Sequence, residues 1–266
     1  MVELQSPGFM AKLFRLDGKV ALMTGGHGAL AEAMGAALAD LGCELAFAAR
    51  HEQNCAELAA NISARFGARA IGLRCDISNE EEVEAAVAHT IERLGRIDLL
   101  INNAGASWWG LPEEIPLSGW RKVVDVNLTG TFLACRHAAR HMIARGSGGV
   151  IVNIASVGAY LSYTPEYGQV VPYTTTKAAI VHLTSDLAAQ WAGHGIRVNA
   201  IAPGSVETGM TKTLTEEMQQ KLLNGILLHR LGKPAEMAGV IALLASDAGS
   251  FITGQTILVD GGQSIA

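Results

Sequence analysis

The stretch that decides the fold is Val20-Ala21-Leu22-Met23-Thr24-Gly25-Gly26-His27-Gly28-Ala29-Leu30-Ala31. Its first five residues are apolar or β-branched without interruption, as in a strand buried on both faces, and the glycine cluster passes directly into an alanine-rich helical stretch. Strand, glycine turn and helix in succession make the first half of a βαβ unit. Outward from this segment the same alternation continues to the end of the chain. Apolar runs at Val20–Thr24, Glu44–Ala48, Ala70–Arg74, Leu99–Asn102, Val150–Ile154, Arg197–Ala202 and Thr256–Val259 predict seven strands. Helical stretches fall between them at Leu30–Leu41, Glu52–Phe66, Glu80–Leu94, Ser118–Arg145, Tyr173–Ala192 and Pro234–Ala245. Asn79 and Ser118 are the expected N-caps, and Gly42, Gly67 and Gly95 the expected C-terminal stops. With right-handed crossovers the result is a doubly wound α/β fold, a parallel seven-stranded sheet with helices on both faces. It is expected as one domain over residues 19–266, behind an N-terminal extension of residues 1–18.

Composition narrows the class of partner. The chain has 266 residues, 49% of them hydrophobic and 17% charged, which excludes a disordered or coiled-coil protein. A net charge of −5 and the lack of any basic run remove the electrostatic term on which nucleic-acid binding depends. Cys43, Cys55, Cys75 and Cys135 lack the paired spacing of a zinc site and read as buried reduced thiols, and the scattered histidines form no metal constellation. Met1 to Lys19 carries Glu3, Lys12, Arg15 and Asp17 with no apolar core, unlike a secretory signal. Ser147, Asn153, Ser156, Ser162 and Thr164 interrupt the uncharged stretch Gly146–Pro165, so no membrane span is expected. A cytoplasmic protein with a small-molecule partner, and no metal, nucleic acid or membrane, follows as the expectation.

In such sheets ligands bind outside the carboxyl ends of the strands. After the first strand, the turn from Gly25 to Leu30 can turn bare backbone N–H groups towards a pyrophosphate, although a tight turn without a ligand would read the same way. After the fourth comes Asn102-Asn103-Ala104-Gly105, and after the fifth Ala155-Ser156. Tyr173 and Lys177 then stand four residues apart on one helix face. A phenol with a reference pKa of about 10 exchanges protons poorly near neutrality, and a neighbouring ammonium brings the phenolate within range. The pair therefore reads as a general acid/base with its tuner, or more plainly as a helix-surface pair.

Together these residues resemble the short-chain dehydrogenase/reductase family over nearly the whole chain, from Lys19 to Gly262. The motifs occur in order: the turn Thr24–Ala31, Cys75-Asp76-Ile77, Asn102-Asn103-Ala104-Gly105, Asn127 within Val126-Asn127-Leu128, Ser156 with Tyr173 and Lys177, and Pro203-Gly204 followed by Thr208. Gly254-Gln255 and Val259-Asp260-Gly261-Gly262 look like that family's closing strand. The resemblance, closest in kind to 3-oxoacyl-reductase-like and sugar or polyol dehydrogenase-like members, implies a Rossmann-like fold and an NAD(P)(H)-dependent oxidoreductase interconverting a secondary alcohol and a ketone. It implies that Tyr173 is the acid/base, that Lys177 lowers its pKa and holds the nicotinamide ribose, that Ser156 hydrogen-bonds the substrate oxygen, and that Asn127 holds a water linking Lys177 to solvent. For the cofactor it implies Gly25, Gly26, His27, Gly28, Ala29 and Leu30 at the turn, and Asp76 and Ile77 at the adenine. Asn103, Ala104 and Gly105, Tyr173 and Lys177, and Pro203, Gly204, Val206 and Thr208 would complete the cofactor contacts.

Two departures carry expectations of their own. The family's turn reads Thr-Gly-x-x-x-Gly-x-Gly, and Ala29 and Ala31 stand where its later glycines would be, with Gly28 one position early. Two added methyls are expected to loosen cofactor binding or shift the loop, and Gly25, Gly26 and Gly28 leave it freedom to adjust. Ser156 also precedes Tyr173 by 17 positions, about four more than in many members. The insert holds three tyrosines and a carboxylate suited to a polyhydroxylated or ring substrate, or it merely reroutes the chain. Substrate-facing candidates are Ser107, Trp108 and Trp109, then Tyr160 and Tyr167, with a lid around residues 205–230. At the end of the second strand Arg50 stands where an NAD enzyme places an acid, which favours NADP(H) over NAD(H). Excess apolar residues on the two longest helices point to self-association, and the resemblance implies a homotetramer. A non-catalytic dinucleotide-binding protein on the same fold is the alternative.

Overall fold

Seven parallel strands form one sheet in the order β3-β2-β1-β4-β5-β6-β7. They are β1 Val20–Thr24, β2 Glu44–Ala49, β3 Ala70–Arg74, β4 Leu99–Asn102, β5 Gly149–Ile154, β6 Ile196–Pro203 and β7 Thr256–Val259. The structure, a computed structural model, describes residues 8–164, 169–208 and 216–266. In β1, Thr24 lies opposite Ala48 on one side and Asn102 on the other, so the chain order reverses across β1 and β4. That reversal opens a crevice at the carboxyl ends of these two strands.

The helices are α1 Phe9–Phe14, α2 Ala29–Asp40, α3 Glu52–Phe66, α4 Glu80–Leu94, α5 Leu117–Val124, α6 Gly130–Arg145, α7 Val171–Trp191, α8 Glu216–Asn224 and α9 Ala238–Ala245. Alternation along each strand sorts the core into two layers. Ala21, Met23, Leu45, Phe47 and Ile101 face α2, α3 and α9, while Val20, Leu22, Ala46, Leu100 and Ile151 face α4, α6 and α7. Phe47 is fully buried and fits only because α2 carries Gly35 opposite it: a Cβ there would lie 2.7 Å from the ring. At the amino ends of the strands the buried Asp98 carboxylate accepts from Val20 N at 3.0 Å and from Arg96 at 2.6 Å, and pairs with Arg145 of α6 at 3.0 Å. This end holds the sheet to its helices and leaves the other end for chemistry.

The predicted strands and most helices lie where expected, to within a residue or two. Asn79 caps α4 by accepting from Glu81 N and Glu82 N, and Gly67 and Gly95 end α3 and α4 in the left-handed conformation. Gly42 follows the Leu41 cap of α2. Ser118 is not the N-cap expected of it: α5 begins one residue earlier, and Gly119 N and Trp120 N donate to the Pro116 carbonyl, whose residue has φ preset for helix entry. The single helix expected over Ser118–Arg145 is interrupted by a π-helical turn at Asp125–Thr129, and α1 and α8 had no sequence signal. All four cysteines are buried and free, and burial pushes the thiols of Cys55, Cys75 and Cys135 up to about 11, 12 and 12. They are inert as nucleophiles at neutral pH. Among the described residues no helix is long and apolar enough to cross a membrane.

The Gly35–Phe47 contact makes a double-mutant test. Helix propensity alone would favour Gly35→Ala by about 1 kcal/mol, but the clash should win and destabilise the fold by about 1–3 kcal/mol in urea unfolding. Combined with Phe47→Leu, which shortens the side chain, the loss should be smaller than the sum of the single losses by about 1 kcal/mol. Additive losses would mean that the two positions do not press on each other.

Candidate active site

The glycine turn is shaped by three strand ends that nearly touch. Gly25 has φ +61°, and a Cβ there would lie 2.7 Å from the Ala104 backbone, while Asn103 Nδ2 donates to the Gly25 carbonyl at 2.9 Å. Gly26 N donates to Ala48 O at 3.1 Å, and a Cβ there would lie 2.7 Å from Ala48 N. Gly28 caps α2 at φ +105°, ψ 169°, a conformation essentially restricted to glycine, with open space around its Cα. The turn is shifted relative to the family pattern, as one of the two expectations for Ala29 and Ala31 has it. The positive φ falls on Gly28, Ala29 is an ordinary first helical residue, and Ala31 packs its methyl into the core, so neither needs to be glycine. The first intrahelical bond runs from Glu32 N to Gly28 O, which leaves the N–H groups of the first turn without carbonyl partners in the helix.

Asn127, Ser156, Tyr173 and Lys177 come together at the carboxyl end of β5. The π-helical turn between α5 and α6 buries Asn127 completely. Its Oδ1 accepts from Ala106 N at 2.7 Å, and its Nδ2 donates to Ala106 O and to Thr176 Oγ1, both at 3.0 Å. Both amide hydrogens are thus spent on protein, and the side chain clamps the loop after β4 to α7. Thr176 continues the chain of contacts by donating to the Tyr173 carbonyl at 2.8 Å.

Lys177 Nζ donates to Ile154 O at 2.6 Å and lies 5.6 Å from the centroid of the Tyr173 ring. Burial pulls its ammonium down to about 8. Burial raises Tyr173, and a hydrogen bond with Ser156 opposes the rise. In this arrangement the ammonium sits over the ring, held by the Ile154 carbonyl, and Ser156 is the hydrogen-bond partner that opposes the rise at the phenol. Ser156 Oγ accepts from Gly158 N at 3.1 Å, which leaves its O–H free to donate.

A cavity of about 510 Å³ joins this cluster to the glycine turn. Of the cofactor candidates, His27, Gly28, Ala29, Leu30, Asn103, Gly105, Tyr173, Lys177, Pro203, Gly204, Val206 and Thr208 line it. Gly25, Gly26 and Ala104 are outside the lining, in the strand-end contacts described above. Asp76 and Ile77 are outside the lining, and Ile77 is buried where a Cβ at Gly130 would lie 2.6 Å from its carbonyl oxygen. Asp76 accepts from Ser78 N and Oγ at 3.0 and 2.7 Å. Arg50 is exposed at the end of β2, without a hydrogen bond or ion pair among the described residues, and the neighbouring His51 meets His27 edge-to-face at 6.4 Å.

The substrate candidates divide. Ser107 lines the cavity, but Trp108 is turned away onto α5, where a Cβ at Gly119 would lie 2.6 Å from its ring, and Trp109 lines the cavity instead. Tyr160 is exposed and outside the lining, whereas Tyr163 is in it. Tyr167 lies outside the described residues, as do residues 209–215 of the expected lid. Met218, Lys221 and Leu222 of α8 reach the cavity. Sequence reasoning assigned no role to Thr176 or His51, and it offered Tyr163 only as one of the three tyrosines of the insert.

Comparison with known proteins gives consistent matches. Residues 26–264 match the family described as Enoyl-(Acyl carrier protein) reductase. The chain is 38% identical over 248 residues to a 3-oxoacyl-(acyl-carrier-protein) reductase of Aquifex aeolicus, covering 93% of this chain and 98% of that one. It is 36% identical over 253 residues to D-threitol dehydrogenase of Mycolicibacterium smegmatis, 95% of each chain. Among solved structures, a gluconate 5-dehydrogenase from Burkholderia cenocepacia J2315 in complex with NADP and tartrate superposes with a TM-score of 0.91 at 35% identity, covering 97% of this chain and 99% of that one.

The depressed Lys177 ammonium carries a stability consequence. Between about pH 8 and the ordinary lysine value of 10.5, the unfolded chain holds a proton at this site that the folded chain has released, so this group adds stability as pH rises through that window. Lys177→Met removes the burden of the buried charge. The variant's thermal stability relative to wild type should be greatest below pH 8 and should decline, by up to a few kcal/mol, towards pH 10.5. A difference that stays flat with pH would mean that the ammonium is not desolvated.

Proposed function

The chain belongs to the short-chain dehydrogenase/reductase family of oxidoreductases, and from that premise we propose that it interconverts a secondary alcohol and a ketone with NADP(H), using Tyr173 as general acid/base. The observation that carries the reading is one cluster: Ser156, Tyr173 and Lys177 on the wall of a single cavity that reaches the N-terminus of α2. The residues present fit a dinucleotide. The first turn of α2 offers partnerless N–H groups, Gly28 leaves open space, and a Cβ at Gly105 would sit 3.8 Å from Asn127 Oδ1 and 3.9 Å from Lys177 Nζ, filling the approach to the lysine. When bound, the nicotinamide supplies the hydride in reduction and accepts it in oxidation.

The protein's own part is proton transfer and charge stabilisation. In the reducing direction Tyr173 Oη gives its proton to the substrate oxygen, and Ser156 Oγ–H donates to the same oxygen as negative charge develops on it. The Lys177 ammonium, with its pKa drawn to about 8, is still mostly protonated at neutrality and favours the phenolate left behind. In oxidation the same groups act in reverse. Asn127 and Thr176 hold the loop after β4 against α7 and so fix the phenol relative to the cavity.

Several features support NADP(H). Arg50 puts a guanidinium where a ribose-binding acid would otherwise stand, and the His27–His51 pair adds donors without adding a carboxylate. Asp76 and Ile77, on the loop after β3, belong to the adenine end in this reading. A non-catalytic role is not favoured, because a binding protein has no use for a phenol, a hydroxyl and a buried ammonium gathered beside the cavity. Self-association as a homotetramer is part of the proposal, supported by exposed Phe132 and Val171 on the long helices and by exposed Phe251 and Ile265 near the C-terminus. The cytoplasm is the proposed compartment, and residues 205–230, including α8, are the proposed lid.

Two variants test the reading in purified protein. Tyr173→Phe should lower kcat for ketone reduction by about 10²–10⁴-fold while NADPH affinity, followed by tryptophan quenching, stays within about twofold. A loss of binding without a loss of turnover would overturn the assignment. Arg50→Ala should weaken NADPH about tenfold, the worth of one charge-assisted contact, and leave NADH nearly unchanged; equal losses would remove Arg50 from cofactor choice.

A further inference from the structure

Tyr163 is the residue of the long Ser156-to-Tyr173 segment that the cavity receives. Its ring is half-buried in the wall that also holds Ser156 and Tyr173. Its hydroxyl has no hydrogen-bond partner among the described residues. Gly158 makes the room: a Cβ at that position would lie 3.4 Å from Ser156 Oγ and 3.7 Å from Tyr163 Cε2, so ring edge and serine oxygen flank one small space. The insert is held to the opposite loop by Gly110 N donating to Gln169 O at 2.9 Å, which brings Trp109 and Val170 into the same wall. Burial and the nearby Tyr173 raise the Tyr163 phenol, so near neutrality it stays protonated, both a donor and an acceptor.

We propose that Tyr163 is a specificity-determining residue that hydrogen-bonds a second oxygen of the substrate. The substrate class is then an α-hydroxy ketone and the corresponding vicinal diol, carried on a compact apolar or ring body. The inference rests on the oxidoreductase reading above and deepens it. One phenol and Ser156 serve the reacting oxygen, and the second phenol, on the same cavity wall, serves the neighbouring hydroxyl. Trp109, Val170 and Leu222 supply apolar surface for the rest of the molecule. A plain ketone leaves the half-buried Tyr163 hydroxyl without that partner, and sites built to pair a substrate hydroxyl discriminate against analogues lacking it.

The test compares matched ketones in NADPH oxidation: 2-hydroxycyclohexanone against cyclohexanone, and 2-hydroxyacetophenone against acetophenone. Wild type should favour the hydroxylated member of each pair by about tenfold or more in kcat/KM. In Tyr163→Phe that ratio should collapse towards one, chiefly through a higher KM for the hydroxylated ketone. Tyr160→Phe, on the exposed ring outside the cavity, should leave the ratio as it is. A Tyr163→Phe variant that lowers both members of a pair alike, preserving the ratio, would show a structural role only and overturn the proposal. If wild type reduces plain ketones as well as hydroxylated ones, the substrate class is wrong while the oxidoreductase reading stands. If it reduces none of the four yet binds NADPH by tryptophan quenching, the substrate class is wrong and the oxidoreductase reading stands; if it also fails to bind NADPH, that reading falls as well.

Discussion

The parallel pairing of β1 with β4, with Thr24 opposite Asn102, is the constraint from which the rest of the molecule follows. It joins two halves of the sheet whose chains wind outward in opposite senses, so the loops leaving β1 and β4 diverge and open a crevice between them. Where the two strands end, their backbones are so close that Gly25 and Ala104 leave no room for a side chain between them, and the Asn103 amide closes the contact onto the Gly25 carbonyl. Gly26 repeats the arrangement against β2. The turn is thereby pulled tight against the sheet edge, and α2 starts with its free N–H groups over the crevice. The geometry of the turn is a consequence of strand packing, and the proposed phosphate-facing segment has little freedom to vary without disturbing the core below it.

A second tie runs across the crevice. An extra residue in the π-helical turn between α5 and α6 brings Asn127 inward, where its amide meets both backbone groups of Ala106 and the Thr176 hydroxyl. Lys177 then fastens α7 to the end of β5 through the Ile154 carbonyl. Each partner removed from such a buried network exposes another group to an unmet hydrogen bond, at about 1–3 kcal/mol. The loop after β4, the end of β5 and the first turns of α7 are therefore tied to one another, which would hold the proposed proton donor in place against a substrate. π-helical turns are often found where function needs a displaced side chain, and this one delivers a fully buried amide.

How far the sequence could be read depended on whether the physics was periodic. Parallel strands buried on both faces appear as apolar runs, and all seven lie within a residue or two of their expected bounds; the spacing of Tyr173 and Lys177 on a helix face was equally plain. Irregular segments offered no such period. Trp108 and Trp109 are adjacent and chemically alike, yet one packs on Gly119 and the other lines the cavity, and nothing local distinguishes them. Tyr160 and Tyr163 exchange roles for the same reason. The glycine turn shows another limit: a motif written in residue types does not state the requirement beneath it, which is one positive φ at the helix start. Gly28 meets that requirement one position earlier than the family pattern does. The start of α5 was misread because the Pro116 carbonyl begins the helix and no side-chain cap is used.

Burial acts on the two titrating groups of the site in opposite senses, and this gives the proposed chemistry a direction. It raises the Tyr173 phenol and draws the Lys177 ammonium down to about 8, so the neutral phenol and the neutral amine are both brought closer than they would be in water. At neutral pH the phenol keeps its proton and the lysine keeps its charge. A site in that state is ready to donate a proton, as ketone reduction requires, and must first lose one before it can oxidise an alcohol. Ser156 moderates the imbalance by a hydrogen bond at the phenol oxygen. The burial that keeps bulk water from this end of the cavity is the same burial that holds the phenol protonated, so shielding of the proposed reaction and readiness to donate a proton share one physical cause.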